Sequence, residues 1–412
     1  MNRKDIEIMS PVGSFESLQA AIQGGANSVY FGIEQLNMRA KSSNNFTTED
    51  LREIVRICNE NDIKSYLTVN TIIYDHDIGL MKQIIDIAKE SGLSAIIASD
   101  QAVMNYANSM GVEVHISTQL NVSNIETLKF YAHFADVVVL ARELSLKQVA
   151  HITKAIEKKQ IKGPSGKLIK IEIFAHGALC MAVSGKCYLS LHEQNSSANR
   201  GACLQTCRKA YVVTEKETGF ELEIDNEYIM SPKDLMTINF INKILDAGVT
   251  VLKIEGRARP PEYVKIVTQA YREAVDSHFE GTYTQEKIDA WIKQLTTVFN
   301  RGFWDGYYLG RELGEWSKDY GSKATKKKEF IGRGTNYFSK IGVAEFHIQS
   351  GNLKLGDEIL ITGPTTGVIQ MTVKELRYEE KPVNEVTKGQ VISTPVAEKV
   401  RRADKLYKIT DV

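Results

Sequence analysis

Short apolar runs and amphipathic segments alternate along the first 300 residues of the chain. The runs are rich in Val, Ile, Tyr and Phe, and they begin at Ile6, Ser28, Ser65, Ala95, Glu113, Val137, Lys170 and Val251. Amphipathic segments such as TEDLREIVRICNEN, from Thr48, separate them and have the apolar spacing of a helix. This alternation predicts parallel strands joined by crossover helices. Eight such units favour an α/β fold of the (β/α)8, TIM-like barrel type over an open sheet.

One connection between the predicted strands is much longer than the others. The seventh run ends near His176 and the eighth begins at Val251, and residues 178–211 are polar, rich in Cys and poor in helical spacing. Loops of this length inside a compact domain are usually functional. We therefore predict a catalytic barrel over 1–300 with a Cys-rich insertion at 178–250, after its seventh strand.

The pattern changes after the barrel. Residues 301–330 are predicted to form a helical and basic linker, which is flexible from 317 to 330. From 331 to 412, short alternating strands are separated by Gly turns, as in KIGVAEFHI and GDEILITGP. That pattern is typical of a small antiparallel β-barrel.

The charge of the chain is balanced overall but uneven locally. Lys and Arg total 51 and Asp and Glu total 51, which argues against a protein that binds polyanions over its whole surface. Between residues 317 and 340, however, seven Lys or Arg accompany two acidic residues. Counterion release from such a patch strengthens RNA binding without sequence specificity. We therefore predict that Lys326, Lys327 and Lys328 contact RNA.

The apolar runs are too short to cross a membrane. A membrane-spanning helix needs about 18 or more apolar residues in succession, and the segment MNRKDIEIMSPVGS lacks the apolar run of a signal peptide. We expect a cytoplasmic protein with no membrane partner. Thiols remain reduced in the cytoplasm, so clustered cysteines there indicate a metal more often than disulfides.

Four of the five cysteines form a cluster in the predicted insertion. Cys180, Cys187, Cys203 and Cys207 have the spacing C-x6-C-x15-C-x3-C and follow the seventh strand, at the rim where barrels of this type build their active sites. Four thiolates can hold a 4Fe-4S cluster or a tetrahedral zinc ion. Because structural zinc usually uses two close cysteine pairs, the spacing favours the cluster. Cys58, on the apolar face of a predicted helix, is interpreted as a small buried hydrophobe.

Three further residues are candidates for catalysis because they lie at the ends of strands. Glu255 and Arg257 directly follow the eighth strand, where a carboxylate and a guanidinium can hold an anionic substrate or the RNA backbone. The alternative is an ion pair that locks the rim. His176, at the end of the seventh strand, is either a proton donor near the cysteines or a hydrogen-bonded histidine that supports the metal ligands.

Four polar residues are candidates for substrate binding. Asn70 and His115 lie in or at the end of strands predicted to line the barrel, so each either contacts a small substrate or is a satisfied core group. Arg200 and Arg208 flank the last two cysteines, where they would tune the potential of a cluster or bind phosphate. Solvated loop arginines are the alternative.

Five segments of the chain together resemble a known family. They are EIFAHGALC from Glu172, SGKCYLS from Ser184, NRGAC from Asn199, MSPKDL from Met230 and KIEGR from Lys253. These motifs are similar to the signature of the collagenase-like peptidase family, and the resemblance extends over the barrel. In the C-terminal module, the segment SGNLKLGDEILITGP resembles the second domain of elongation factor Tu.

The resemblance implies two different activities. Some members of the family are described as collagenases, whereas others are iron–sulfur proteins that hydroxylate RNA bases or ubiquinone precursors without molecular oxygen. The branch that this chain most resembles makes 5-hydroxyuridine at the wobble position of tRNA and depends on prephenate. By that likeness, the four clustered cysteines would hold a 4Fe-4S cluster. The partners would be a tRNA anticodon loop and a small carboxylate co-substrate, prephenate.

Three classes of function therefore compete. The leading hypothesis is a tRNA-modifying enzyme that forms wobble 5-hydroxyuridine, and the second is a hydrolase that cleaves collagen-like or other peptides. A protease needs an activated nucleophile or a metal-bound water, and the sequence has no H-E-x-x-H or G-x-S-x-G segment. The third is a non-catalytic RNA-binding protein with a structural metal.

Overall fold

The computed structural model describes residues 2–40, 45–209, 211, 213–214, 216–218, 221–222, 230–310, 314–317 and 321–412. The strands of its first part are β1 (Glu7–Pro11), β2 (Ser28–Phe31), β3 (Lys64–Val69), β4 (Ala95–Ala98), β5 (Val114–Ile116), β6 (Val137–Val139), β7 (Lys170–Gly177), β8 (Val213–Thr214), β9 (Glu221–Leu222), β10 (Asp234–Met236), β11 (Val251–Ile254) and β12 (Phe303–Trp304).

Eight of these strands form a closed parallel barrel. Strands β1 to β7 pair side by side in chain order, and β11 pairs in parallel with both β7 and β1. Val251 of β11, for example, lies opposite Glu172 of β7 and Glu7 of β1. The predicted TIM-like α/β barrel is confirmed, and its eight strands are those predicted from the apolar runs.

Amphipathic helices connect the strands. They are α1 (Phe15–Gln23), α2 (Thr48–Glu60), α3 (Ile78–Glu90), α4 (Gln101–Ser109), α5 (Ile125–Tyr131), α6 (Leu146–Lys159), α7 (Leu189–Gln194), α8 (Ile241–Asp246), α9 (Pro261–Phe279) and α10 (Gln285–Thr296). In α2, Thr47 and Asp50 cap each other's backbone N–H groups, and Cys58 is buried on the apolar face. Burial raises the pKa of the Cys58 thiol to about 12, as expected of a small hydrophobe. Within the described residues, no helix has the length and apolar character needed to span a membrane.

The barrel interior contains charged side chains as well as apolar ones. Lys253 of β11 donates a hydrogen bond to Glu172 of β7 over 2.7 Å, and both side chains are buried. Barrels of this type usually fill their interior with branched apolar residues. Because the desolvation of two charges offsets much of their attraction, a buried ion pair adds little to stability. The Lys253–Glu172 pair therefore adds little to the stability of the barrel.

The insertion after β7 combines irregular loops with short regular elements. It includes α7, 3-10 turns at Ala198–Arg200 and Thr206–Arg208, the antiparallel pair β8–β9, then β10 and α8. β10 pairs antiparallel with the end of β7, where Leu235 lies opposite Gly177, and β12 pairs in parallel with β10. The insertion is thus anchored at the carboxyl end of β7, beside the mouth of the barrel.

The C-terminal part forms the predicted antiparallel β domain. Its strands are β13 (Lys326–Phe338), β14 (Val343–Ile348), β15 (Asn352–Lys354), β16 (Glu358–Gly363), β17 (Gly367–Thr372), β18 (Arg377–Tyr378), β19 (Lys381–Pro382), β20 (Glu385–Thr387), β21 (Val391–Pro395) and β22 (Lys405–Asp411). The order in the larger sheet is β17-β16-β22-β13-β14-β21-β18-β19, and β15 pairs with β20. Phe346, Leu353, Ile361 and Leu406 are among the side chains that fill the core.

The β domain begins earlier than the sequence pattern predicts. β13 starts at Lys326, so the predicted flexible linker of 317–330 is wrong over its last five residues, and residues 318–320 lie outside the described part of the chain. Lys326, Lys327 and Lys328 pair along β22. The run of lysines can form a strand despite its charge because carboxylates pair with the lysines. Glu262 of α9, for example, lies 2.7 Å from Lys328.

The β domain packs on helices α1 and α9 of the barrel. Gln23 of α1 donates to the carbonyl of Thr366 over 3.0 Å and accepts from the N–H of Val368 over 2.9 Å. Lys265 of α9 donates to the carbonyl of Val368. Leu360 and Val368 belong to the same apolar cluster as the barrel core. Hydrogen bonds and shared apolar packing therefore hold the domain against the outside of the barrel.

Candidate active site

A cavity of about 240 Å³ lies at the carboxyl ends of the barrel strands. The loops after the strands contribute Asn70 after β3, Ser117 after β5 and Glu255 after β11, and the insertion contributes Cys180 and Gln205. The active sites of (β/α)8 enzymes lie at this end of the barrel. The cavity is therefore the candidate active site.

Three of the four clustered cysteines line this cavity. They are Cys180, Cys203 and Cys207, and Cys187 lies in the same insertion. All four are free thiols. Burial raises the pKa of the Cys207 thiol to about 11; Arg208 opposes this rise, and the other three cysteines add to it. The pKa of Cys207 thus responds to the charges of the other three cysteines of the insertion.

The four clustered thiols are the candidate ligands of a metal group. Among the described residues, no three His, Cys, Asp or Glu side chains are grouped as ligands of one metal ion. A zinc ion requires ligand sulfurs about 2.3 Å from the same centre. A 4Fe-4S cluster binds its thiolates to different irons and therefore needs a wider spacing. The four cysteines of the insertion are soft donors of the kind that either group takes, and three of them line the cavity.

The walls of the cavity are strongly cationic. The described cations that line it are Arg39, Arg142, Arg208, Lys253, Arg257, Arg259 and Arg301, whereas Glu255 is the carboxylate among its described lining residues. Three of these cations have carboxylate partners: Arg39 pairs with Glu255 at 3.2 Å, Lys253 with Glu172 and Arg301 with Asp234. The cavity therefore retains an excess of positive charge.

Arg257 is a buried cation without a carboxylate partner among the described residues. Its side chain, 7% exposed, donates to Thr68 Oγ1 over 3.0 Å and to Asn37 Oδ1 over 2.9 Å. Burial lowers the pKa of Arg257 to about 10. Gly32 makes room for it, since a Cβ there would lie 2.3 Å from Arg257 Nη1. A desolvated guanidinium at a cavity wall favours an anionic ligand.

Glu255 stays ionised in the cavity. Burial by itself would raise its pKa, but the charges of Arg39 and Arg259 and the hydrogen bond from Arg39 outweigh burial and hold the pKa below its ordinary value. Both Glu255 and Arg257 thus lie where the sequence predicted, at the mouth of the barrel. Glu255 also forms an ion pair at the rim, as the predicted alternative described, and its partner is Arg39.

Two other predicted residues also line the cavity, with their polar atoms already engaged. Asn70 donates to Ser117 Oγ over 3.1 Å and to Gln119 Oε1 over 3.2 Å, so it ties the loops after β3 and β5 together. Arg208 donates to the carbonyls of Leu179 and Pro232. Asn70 and Arg208 therefore shape the cavity as well as line it.

The structure places both predicted histidines outside the cavity lining. His176 packs among the rings of Tyr263, Tyr271 and Phe303, and burial lowers its pKa to about 3. A group that stays neutral at physiological pH is a poor proton donor, so the predicted catalytic role of His176 is not supported. His115 is buried in the barrel against Tyr66, and its Nε2 lies 3.1 Å from Glu113.

The remaining predicted substrate contacts also have protein partners. Arg200 lies outside the cavity lining and forms hydrogen bonds of 2.6 Å and 3.2 Å with the two carboxylate oxygens of Asp77. Three lysines of β13 form ion pairs: Lys326 with Glu358, Lys327 with Glu329 at 3.0 Å and Lys328 with Glu262 at 2.7 Å. The three lysines line a different cavity from the one that the cysteines line, and their ion pairs largely neutralise them.

Sequence reasoning missed most of the cationic wall. Lys253 could have been predicted from the sequence, because alternate residues of β11 point into the barrel and Lys253 precedes Glu255 by two positions. Arg39, Arg142 and Arg301 come from separate loops whose local sequence has no distinguishing pattern. Only the closed barrel brings them together.

The comparisons with known proteins agree on one family. A family model described as "Peptidase family U32" matches residues 13–318. A protein named "Collagenase" from Porphyromonas gingivalis (strain ATCC BAA-308 / W83) is 65% identical over 408 residues, which cover 99% of this chain and 99% of the relative.

Two further relatives are named for RNA hydroxylation. "tRNA hydroxylation protein P1" of Bacillus subtilis (strain 168) is 29% identical over 385 residues, which cover 92% of this chain and 88% of the relative. "23S rRNA 5-hydroxycytidine C2501 synthase" of Escherichia coli (strain K12) is 33% identical over 317 residues, which cover 75% of this chain and 46% of the relative. Relatives of this chain thus have names from two reaction classes.

The burial of His176 predicts a measurable pH dependence of stability. In the unfolded chain, His176 has its ordinary pKa of 6.5 and binds a proton below that pH. In the folded chain, the His176 imidazole stays neutral down to about pH 3. The free energy of unfolding should therefore fall with decreasing pH, by up to about 1.4 kcal/mol per pH unit from this residue. In urea denaturation between pH 6.5 and 4, His176→Gln is expected to flatten that dependence. An unchanged slope would contradict the buried neutral state.

Proposed function

The chain belongs to peptidase family U32, and from this membership we propose that it is an iron–sulfur enzyme that hydroxylates an RNA base without molecular oxygen. The specific product proposed is 5-hydroxyuridine at the wobble position of tRNA. The observation that carries the proposal is a cationic cavity lined by three of four clustered cysteines. Relatives named for tRNA and rRNA hydroxylation support it.

The four cysteines of the insertion would hold a 4Fe-4S cluster. Cys180, Cys203 and Cys207 present their thiols to the cavity and Cys187 completes the set. Such a cluster supplies one-electron transfer when bound. Arg208, fixed by backbone carbonyls beside Cys207, would offset the negative charge of cluster and thiolates.

The cationic wall would bind a small carboxylate co-substrate. Arg257 and Arg142 are suited to this task because their hydrogen-bond partners, Thr68, Asn37 and Ser184, are neutral. A carboxylate between two guanidinium groups gains charge-assisted hydrogen bonds in a site with little water. Prephenate, the co-substrate expected from the family resemblance, has this chemistry.

Glu255 is the proposed general base of the cavity. A carboxylate that stays ionised can accept a proton from a bound substrate. Glu255 lines the cavity with a pKa held low by Arg39 and Arg259. Lysines 326–328 would contribute long-range attraction for RNA, weakened by the carboxylates that pair with them.

Peptide hydrolysis is the second candidate function, because the relative named "Collagenase" is 65% identical. A peptidase needs a nucleophile with an adjacent base, or a water bound to a metal. Within the described part of the chain, no histidine lines the cavity. The cavity thus offers no Ser–His or Cys–His pair, which favours hydroxylation over hydrolysis.

The iron content of the protein and the hydroxylation of RNA are expected to depend on the same cysteines. Protein purified without oxygen is expected to be brown and to contain about four irons per chain, and Cys203→Ala should lose most of them. Cells without the gene should lack hydroxylated pyrimidine in tRNA, measured by mass spectrometry of nucleosides. The wild-type gene should restore it and Cys203→Ala should not. Cys58→Ala is the matched control and should retain both properties. Stoichiometric zinc, or undiminished hydroxylated nucleoside in the mutant cells, would contradict the proposal.

A second prediction separates the two reaction classes. Pure holoprotein is expected to leave gelatin and collagen peptides intact under conditions in which it modifies RNA. Peptide cleavage that co-purifies with the protein and disappears in a variant such as Glu255→Gln would establish the hydrolase instead. Cleavage that survives Glu255→Gln but is lost on further purification marks a contaminating protease.

A third prediction tests the anion site. Arg257→Gln removes the positive charge from the cavity wall, so it should weaken prephenate binding by about 10- to 100-fold. Gly32→Ala should act in the same direction because its Cβ would displace the guanidinium. Arg56→Gln, on the exposed face of α2, is the matched control. Calorimetric titration of each holoprotein with prephenate measures these affinities. If Arg257→Gln binds prephenate as tightly as wild type does, Arg257 is not part of the anion site.

A further inference from the structure

The rim around the cavity carries an unusual number of exposed apolar side chains. They are Ile72, Tyr74, Met181, Val183, Tyr188 and Leu204, called here the mouth surface. Met181 follows Cys180, Val183 precedes Ser184, and Leu204 lies between Cys203 and Gln205. Tyr188 follows Cys187 and is 72% exposed. Clustered exposed apolar groups mark binding surfaces in soluble proteins.

Part of the mouth surface is rigidly built. The Arg200 guanidinium lies 4.4 Å from the centre of the Tyr74 ring and is held there by Asp77 and by the carbonyl of Ile72 at 2.6 Å. The ring of His76 packs edge-on against Tyr74. The aromatic face is therefore fixed in place by interactions that reach from the insertion to the loop after β3.

The charge of the rim suits a polyanion. Between residues 181 and 209 there are four cations, Lys186, Arg200, Arg208 and Lys209, and one carboxylate, Glu193. Arg200 pairs with Asp77 and Lys209 lies 3.9 Å from Glu193, so Lys186 and Arg208 carry the charge that remains. Lys186 is exposed and has no carboxylate within 4 Å among the described residues. The lysines of β13, in contrast, each have a carboxylate partner. Phosphates would meet less competition at the rim than along β13.

We propose that the mouth surface docks the unpaired nucleotides on either side of the target base, with neighbouring bases stacked on Tyr188 and Tyr74 and a phosphate on Lys186. This inference rests on the proposed function. An enzyme that acts on a base must receive it out of its stack, and a loop nucleotide needs less energy for this than a paired one. Aromatic side chains bind bases through their faces without sequence preference. The surface thus selects single-stranded loops over duplex RNA.

The mouth surface is tested by RNA affinity. Tyr188→Ala should weaken the binding of an anticodon stem-loop to holoprotein by about 5- to 100-fold. Lys186→Glu should weaken it as well and lower the slope of log K against log salt by about one. Phe338→Ala and Lys388→Glu, which change exposed residues of the β domain, are the matched controls and should bind as wild type does. A fully paired RNA of equal length should bind weakly to every form.

A second measurement avoids any substitution beside the cysteines. A stem-loop with 4-thiouridine next to the target position, irradiated with unaltered holoprotein, should form cross-links within 181–209 or at residues 72–74. Cross-links confined to 326–340 would overturn the inference, and so would normal affinity of Tyr188→Ala and Lys186→Glu while wild type modifies RNA. If wild-type holoprotein neither binds nor modifies RNA but binds collagen peptides through Tyr188, the proposed function itself fails.

Discussion

Closure of the barrel by β11 is the constraint on which the site depends. β11 lies between β7 and β1, and its alternate residues carry Lys253 and Glu255 inward, with Arg257 following at the mouth. The same strand therefore completes the hydrogen bonding of the sheet and supplies the charged wall of the cavity. A shift of its register by one residue would turn these charges into the helix layer, so fold and site are specified together.

The buried charges make the cavity suited to an anion. Arg257 is desolvated with only neutral acceptors, and the Lys253–Glu172 pair occupies an interior that is apolar in most barrels of this kind. Each is costly in an empty barrel. An anion bound in the cavity would offset part of the desolvation free energy of the buried Arg257 guanidinium. That gain would add to the affinity for the anion.

The insertion gives a common barrel its particular chemistry. It leaves β7 at the mouth, brings three of the four cysteines into the lining of the cavity and carries exposed apolar side chains next to them in the chain. The proposed RNA hydroxylase would use three features: soft ligands, an anion site and a surface for unpaired bases. A peptidase needs none of the cysteines as a group, and the described cavity has no histidine to activate one of them.

Local patterns in the sequence determined the barrel, the insertion and the cysteine cluster. Apolar strands, helix caps and the spacing of the cysteines each depend on residues that are close together in the chain. Glu255 and Arg257 were predictable for the same reason, as they end a strand whose direction is known. His176 was misjudged because its neutral state depends on rings of α9 distant in sequence. The linker was misjudged because the partners of its lysines lie on other elements. Only the tertiary structure determines the cationic wall of the cavity, because closure of the barrel brings together cations that are distant in sequence.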